Sequence, residues 1–208
     1  MSDAPRPAMM LAIMEPPPGM EEEFNDWYDT EHLPQRRGLP GFLSASRWVA
    51  VDGFPRSLAA YDLQSLAALS DPAYLAVAGG NSTRWSRRVL ARTARAGRLR
   101  VEAELISPGG QFLPPHTVSR MLVARYSVSA DHAAFVGQAA ECYGSLPRLA
   151  QCRLFHSGAE AEIWALAEFR GPVHSADLAD FVGEVAGRGA TFFNLYAPYN
   201  SATTAGWV

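Results

Sequence analysis

Near the start of the chain a carboxylate and an imidazole stand side by side, Glu31-His32, with a phenol one helical turn earlier at Tyr28. An imidazole gives and takes protons near neutral pH with little tuning. A phenol can donate a hydrogen bond to a carbonyl or enolate oxygen. These are the parts of a proton-transfer site. His32 would be its acid and base, Tyr28 or Tyr61 would hold the oxygen, and Glu31 would orient the surroundings or pair with an arginine such as Arg47. Adjacent helical residues diverge by about 100°, so Glu31 and His32 are not expected to touch. Each also has a plain structural role: His32 as a surface residue closing a helix, Glu31 as a buried carboxylate locking helix to sheet.

The element that must position them is the stretch Met20–Phe42 (MEEEFNDWYDTEHLPQRRGLPGF). On a helical wheel Met20, Phe24, Trp27 and Tyr28 form one apolar stripe. Glu31 projects from its middle, a costly place for a carboxylate unless it is buried and paired with an arginine, an indole or an amide N–H. Three glutamates suit the positive end of the helix and a protonated His32 its negative end. Pro34 pushes Leu33 out of the α region and is expected to end the helix there. Phe24, Trp48, Tyr61 and Trp85 are expected as aromatic walls between helix and sheet, which is how small-molecule pockets are lined.

DWYDTEHLP followed by PGF resembles the first-helix motif of the EthD-like proteins in the dimeric α/β-barrel superfamily, through Trp27, Tyr28, Glu31, His32, Pro34, Pro40, Gly41 and Phe42. Ser70–Val89 is similar to the second helix and loop of the same group. The resemblance covers roughly the first half of the chain. It implies ferredoxin-like βαββαβ units whose sheets pair into a barrel. It also implies a cytoplasmic protein that handles a small apolar or aromatic molecule without metal or nucleotide. Proton-transfer chemistry beside a carbonyl (isomerisation, cyclisation or decarboxylation) would suit it, or cofactor-free oxygenation of an electron-rich phenol. Some barrels of this superfamily bind haem through one histidine. The rival reading is a non-catalytic ligand-binding or stress-response protein in which the motif serves packing.

Read in order, the apolar and alternating runs predict strands at Ala8–Met14, Phe42–Val51, Ser57–Leu63 and Arg98–Ile106, with helices in the motif, over Ser65–Ala78 and over Ser82–Ala94. Ser107–Thr117, rich in Pro and Gly, is the linker candidate. The order then repeats: strand Arg120–Val128, helix Ala130–Tyr143, strands Gln151–His156 and Ala161–Phe169, helix Ser175–Ala186, strand Thr191–Tyr196. The expected fold is therefore α+β, with two ferredoxin-like halves, residues 1–107 and 118–208, forming an α/β barrel within one chain. The second half carries Cys142 and Tyr143 before Pro147 and no Glu-His pair, so function is expected in the first half only.

Composition narrows the rest. The 208 residues are 48% hydrophobic, and the net charge of −3 gives no reason to expect nucleic acid or an acidic membrane as partner. All 18 basic residues are arginine, which removes Schiff-base chemistry and the P-loop lysine. The tract Arg84–Arg100 reads as a solvated face or a partner for the acidic motif helix. Two cysteines, Cys142 and Cys152, make no disulfide framework and no metal spacing. The short run Ala8–Met14 is too brief to cross a membrane. Whether the chain pairs into a homodimer is left open.

Overall fold

Eight strands close into one antiparallel barrel in the order β1-β3-β2-β10-β5-β7-β6-β4. The computed structural model describes residues 5–107, 111–128, 131–158 and 161–199. The first half contributes β1 (Ala8–Met14), β2 (Phe42–Asp52), β3 (Ser57–Leu63) and β4 (Arg98–Leu105). The second contributes β5 (Arg120–Ser127), β6 (Leu149–Ser157), β7 (Glu162–Phe169) and β10 (Phe192–Pro198). Within each half the order is that of a βαββαβ unit, β4-β1-β3-β2 and β6-β7-β5-β10. The edge strand of one half pairs with the edge strand of the other, so closure leaves no free sheet edge. The expected α+β barrel from ferredoxin-like halves is what the chain forms.

Period-two alternation then makes three apolar cores. Met9, Leu11 and Ile13 of β1 face the barrel interior with Trp48, Leu58, Val123 and Trp164. Ala8, Met10 and Met14 face outward and pack under the helices of the first half with Phe24, Trp27, Tyr28 and Tyr61. The second half has its own outer core around Phe135, Ala139 and Tyr143 of α5 (His132–Gly144). The interior is not wholly apolar. Arg153 of β6 reaches Asp62 of β3 at 2.8 Å across the halves and lies 3.9 Å from Glu168 of β7.

One expectation about an element is corrected: the last helix, α6 (Ser175–Val182), stops at Val182, and β8 (Glu184–Val185) then pairs with β9 (Arg188–Gly189). Ala186 and Gly187 between them both take positive φ, the two-residue hairpin geometry. The linker candidate joins the halves and packs on the barrel over its described part. Phe112 is buried in the barrel interior, its N–H donates to Asp62, and the Leu113 N–H donates to Glu168 at 3.0 Å. Residues 108–110 of that linker lie outside the described residues. The helical stretch Ser65–Ala78 is interrupted at Asp71-Pro72, where the Asp71 carboxylate caps α3 (Pro72–Leu75) by accepting from the Ala73 N–H at 2.8 Å. It is flanked by 3₁₀ turns at Leu66–Ser70 and Gly79–Asn81.

Candidate active site

The motif helix does not end at Pro34. It runs as α1 (Glu21–Trp27), one π-helical turn (Tyr28–His32) and α2 (Leu33–Arg37). The widened turn puts Pro34 in the first turn of α2, where a missing N–H costs least and the ring escapes the carbonyl one turn back. Two consequences follow. His32 is not at a helix end, and Arg36, one turn beyond it, is carried onto the same buried face.

His32 is 9% exposed, its ring 4.3 Å from that of Trp27 and edge-on to Tyr28 at 5.3 Å. Burial, then the charges of Arg36 and Arg98, hold its pKa down at about 3. The imidazole is thus neutral at physiological pH, which corrects the expectation of an untuned acid–base group and of a cation serving the helix dipole. Tyr28 and Tyr61 are fully buried. Burial pushes Tyr28 up to about 12 against the opposing fields of Arg47, Arg98 and Arg36, and the nearby Tyr61 hydroxyl lowers it as well. Burial likewise holds Tyr61 well above the usual phenol range. Neither hydroxyl completes a well-formed hydrogen bond, and His32 Nδ1 is buried without a partner.

Beside His32 and Tyr61 lies a cleft of about 60 Å³, lined also by Tyr74, Arg36, Arg98 and Arg100 with an apolar wall from β1, while Tyr28 stands behind Tyr61 and is not on its wall. Strand register explains the space. Ala12 sits between Ala59 of β3 and Arg100 of β4, two small side chains in a row on the outer face, while Met14 stands beside Arg98. No acidic residue lines the cleft.

The other named residues go elsewhere. Glu31 is half-buried and turns to α4 (Arg84–Ala96), accepting from Thr83 Oγ1 at 2.6 Å and Ser86 Oγ at 2.9 Å. Ser86 in turn accepts from the Trp27 indole at 3.0 Å. Glu31 therefore fastens helix to helix at the positive end of α4, by hydroxyls and not by an arginine. Arg47 pairs instead with Asp29 at 2.6 Å and Asn25 at 2.7 Å. Trp48 faces the barrel interior, its indole bonded to Ser46 Oγ at 2.8 Å, because period-two alternation sends Arg47 outward and Trp48 in. Phe24 is buried beside Tyr28, with ring centroids 5.1 Å apart, and Trp85 packs half-buried on the same core. Neither lines the cleft.

Sequence reasoning brought Tyr28, His32 and Tyr61 together and missed Arg36, Tyr74, Arg98 and Arg100. The His32–Arg36 spacing was the signal for Arg36, hidden by the expected stop at Pro34. Arg98 and Arg100 share a face of an alternating strand, but their tract read as solvated. That reading suits Arg88, which binds Glu23 of the motif helix through its Nε at 2.8 Å.

No family model and no curated protein matches this sequence. Solved structures do. An anthrone oxidase-like protein superposes with a TM-score of 0.58 at 11% identity, over 96% of this chain and 93% of its own. A candidate monooxygenase from Lactobacillus acidophilus gives 0.56 at 12%, over 93% and 96%. A haem-binding protein from Thermus thermophilus gives 0.54 at 11%, over 94% and 92%. The chain shares their fold. Identities this low carry fold and nothing finer. A closed barrel of ferredoxin-like halves fits the dimeric α/β barrels, while the finer EthD-like resemblance rests on the sequence matches at Trp27–Phe42 and Ser70–Val89.

A haem would need an axial donor and flat space for the macrocycle. The cleft beside His32 holds about 60 Å³, whereas pockets for drug-sized ligands begin at roughly 300 Å³. In the second half, Phe135, Ala139 and Tyr143 fill the space under α5. The residues in these two places do not fit a haem. Among the described residues no helix is long and apolar enough to cross a membrane.

Proposed function

We propose that the cleft of the first half is the site of an EthD-like enzyme that moves a proton beside the carbonyl of a small molecule without a cofactor. One observation carries this reading: Tyr28 Oη and Tyr61 Oη are buried with only each other for company and complete no well-formed hydrogen bond, and His32 Nδ1 is buried without a partner. Buried polar groups are nearly always hydrogen-bonded, and exceptions gathered in one place mark a ligand. The phenols are donors for a carbonyl oxygen. As a proton leaves the adjacent carbon, the oxygen becomes an enolate, and preorganised donors with the Arg36 and Arg98 charges nearby stabilise it more than the ketone. Neutral His32, protonated on Nε2, takes the carbon's proton at Nδ1. The enolate's charge offsets the arginines that disfavour an imidazolium, so the proton transfer generates the charge that stabilises its product.

The structural neighbours, an anthrone oxidase-like protein and a candidate monooxygenase, favour a second reading of the same step. A phenolate or enolate held here would be electron-rich enough to meet dioxygen directly. A packing-only role is disfavoured, because Glu31 carries the packing load while His32 stands on the wall of a cleft.

Deuterium washout from the α-carbon of cyclic aryl ketones, followed by proton NMR, tests the proposal. Wild type should accelerate exchange, and His32→Asn and Tyr61→Phe should each lower it by about 10²-fold, the usual range for general-base and oxyanion groups. Exchange at the wild-type rate in both variants would sink it.

A further inference from the structure

Three arginines among the described residues are buried: Arg36, Arg47 and Arg153. Arg47 holds Asp29 at 2.6 Å and Arg153 holds Asp62 at 2.8 Å. Arg36 is the exception. Its guanidinium donates only to neutral acceptors, Gln35 Oε1 at 3.0 Å and the Val77 carbonyl at 3.3 Å, and leans 5.4 Å from the Tyr74 ring. A guanidinium cannot lose its charge in a protein, and a buried charge without a counter-ion is costly. Other side chains on the cleft wall do not supply one. Arg98 and Arg100 add positive charge, and no carboxylate lines the space. Glu102 pairs with Arg100, and Arg98 has no carboxylate partner among the described residues.

We infer that the missing counter-ion is part of the ligand: the cleft takes a molecule with a permanently ionised carboxylate, seated against Arg36 with Arg98 at the exposed rim. The planar fork of arginine matches a carboxylate. The small volume suits a carboxylate head, and Met10, Ala12, Met14 and Leu90 give apolar wall for the carbons attached to it. This rests on the cleft being the ligand site and adds the charge class of what enters. It gives the Arg36 guanidinium the charged acceptor it lacks and leaves the Tyr61 hydroxyl free for a carbonyl oxygen of the same molecule.

Fluorine-19 NMR titration of the full chain with 4-fluorobenzoate and its neutral isostere 4-fluorobenzamide, at fixed ionic strength, tests the inference. Benzoate should bind once per chain and at least tenfold tighter than the amide. Arg36→Gln should remove that tenfold preference. The ligand-free Arg36→Gln protein, relieved of an uncompensated charge, should melt no lower than wild type. Arg98→Gln, at an exposed position, should weaken benzoate about threefold and serves if Arg36→Gln does not fold. Ala12→Phe should fill the cleft and abolish both. Equal affinity for acid and amide, benzoate binding unaltered by either arginine variant, or a lower melting point for folded Arg36→Gln would overturn the carboxylate inference. If the amide still binds wild type and not Ala12→Phe, the site itself stands. If neither probe binds, the site and the inference fall together.

Discussion

The two helix–sheet layers flanking the barrel are made of the same parts and finished differently. In the second half Tyr143 of α5 and Tyr126 of β5 share a hydrogen bond of 2.9 Å, and Tyr126 donates onward to the Val182 carbonyl of α6. Both phenols are buried and both are tied off. In the first half Tyr28 and Tyr61 are as deeply buried, yet their hydroxyls meet only each other, complete no well-formed hydrogen bond and pass nothing on to the backbone. The first layer also buries a histidine and an arginine without a counter-ion, while no histidine of the second half is buried. One layer is closed as a core. The other leaves polar groups unsatisfied, a cost to stability that the proposed ligand would offset.

The largest effect that would break this contrast is pH-dependent. Unfolded, His32 takes up a proton below its ordinary 6.5, but folded it holds out until about 3. Across that window unfolding absorbs a proton. Stability is therefore whole above pH 6.5 and falls as pH drops toward 3, by up to about 1.4 kcal/mol per pH unit. His32→Asn should flatten this, leaving about 2 kcal/mol less loss between pH 6.5 and 5 in urea unfolding curves. A variant whose stability falls with acid as steeply as wild type would mean the imidazole is not shielded.

How much of this was legible in the sequence depended on how local the deciding physics was. β1 and β3 fall where predicted, Ala8–Met14 and Ser57–Leu63, because apolar runs bounded by Pro and Asp-Gly leave little choice. The motif helix was read as amphipathic from its aromatic spacing, but its length was misread. A proline stops an α-helix by a local rule, and a π turn that absorbs it is a choice made with the sheet in place. That one turn hid Arg36. Trp48 was misplaced because aromatic type says nothing about which strand face it occupies until register is known. Pro and Gly marked the connector as a linker, while Phe112 enters the barrel through long-range contacts that no local rule contains. Glu31 was expected to find an arginine, an indole or an amide N–H, and its hydroxyl partners Thr83 and Ser86 lie more than fifty residues away, beyond any local signal.

The sharpest test of the contrast is the same substitution made in each layer. Tyr126→Phe removes a hydroxyl that both accepts and donates, stranding the Tyr143 hydroxyl and the Val182 carbonyl in an apolar layer. Leaving buried groups unsatisfied costs about 1–3 kcal/mol, and chemical denaturation should show a loss in that range. Turnover and ligand uptake in the first half should not change. Tyr61→Phe removes a hydroxyl of equal burial whose neighbour is the Tyr28 hydroxyl and which completes no well-formed hydrogen bond. Its desolvation is already unrecovered in the ligand-free fold, so the variant should hold wild-type stability to within about 0.5 kcal/mol or gain slightly. The two phenylalanine variants thus separate stability from function in opposite directions: Tyr126→Phe weakens the fold and spares the site, Tyr61→Phe spares the fold and weakens the site. Equal destabilisation by both would show that Tyr61 is bonded in the ligand-free protein, and the two layers would then differ in sequence but not in purpose.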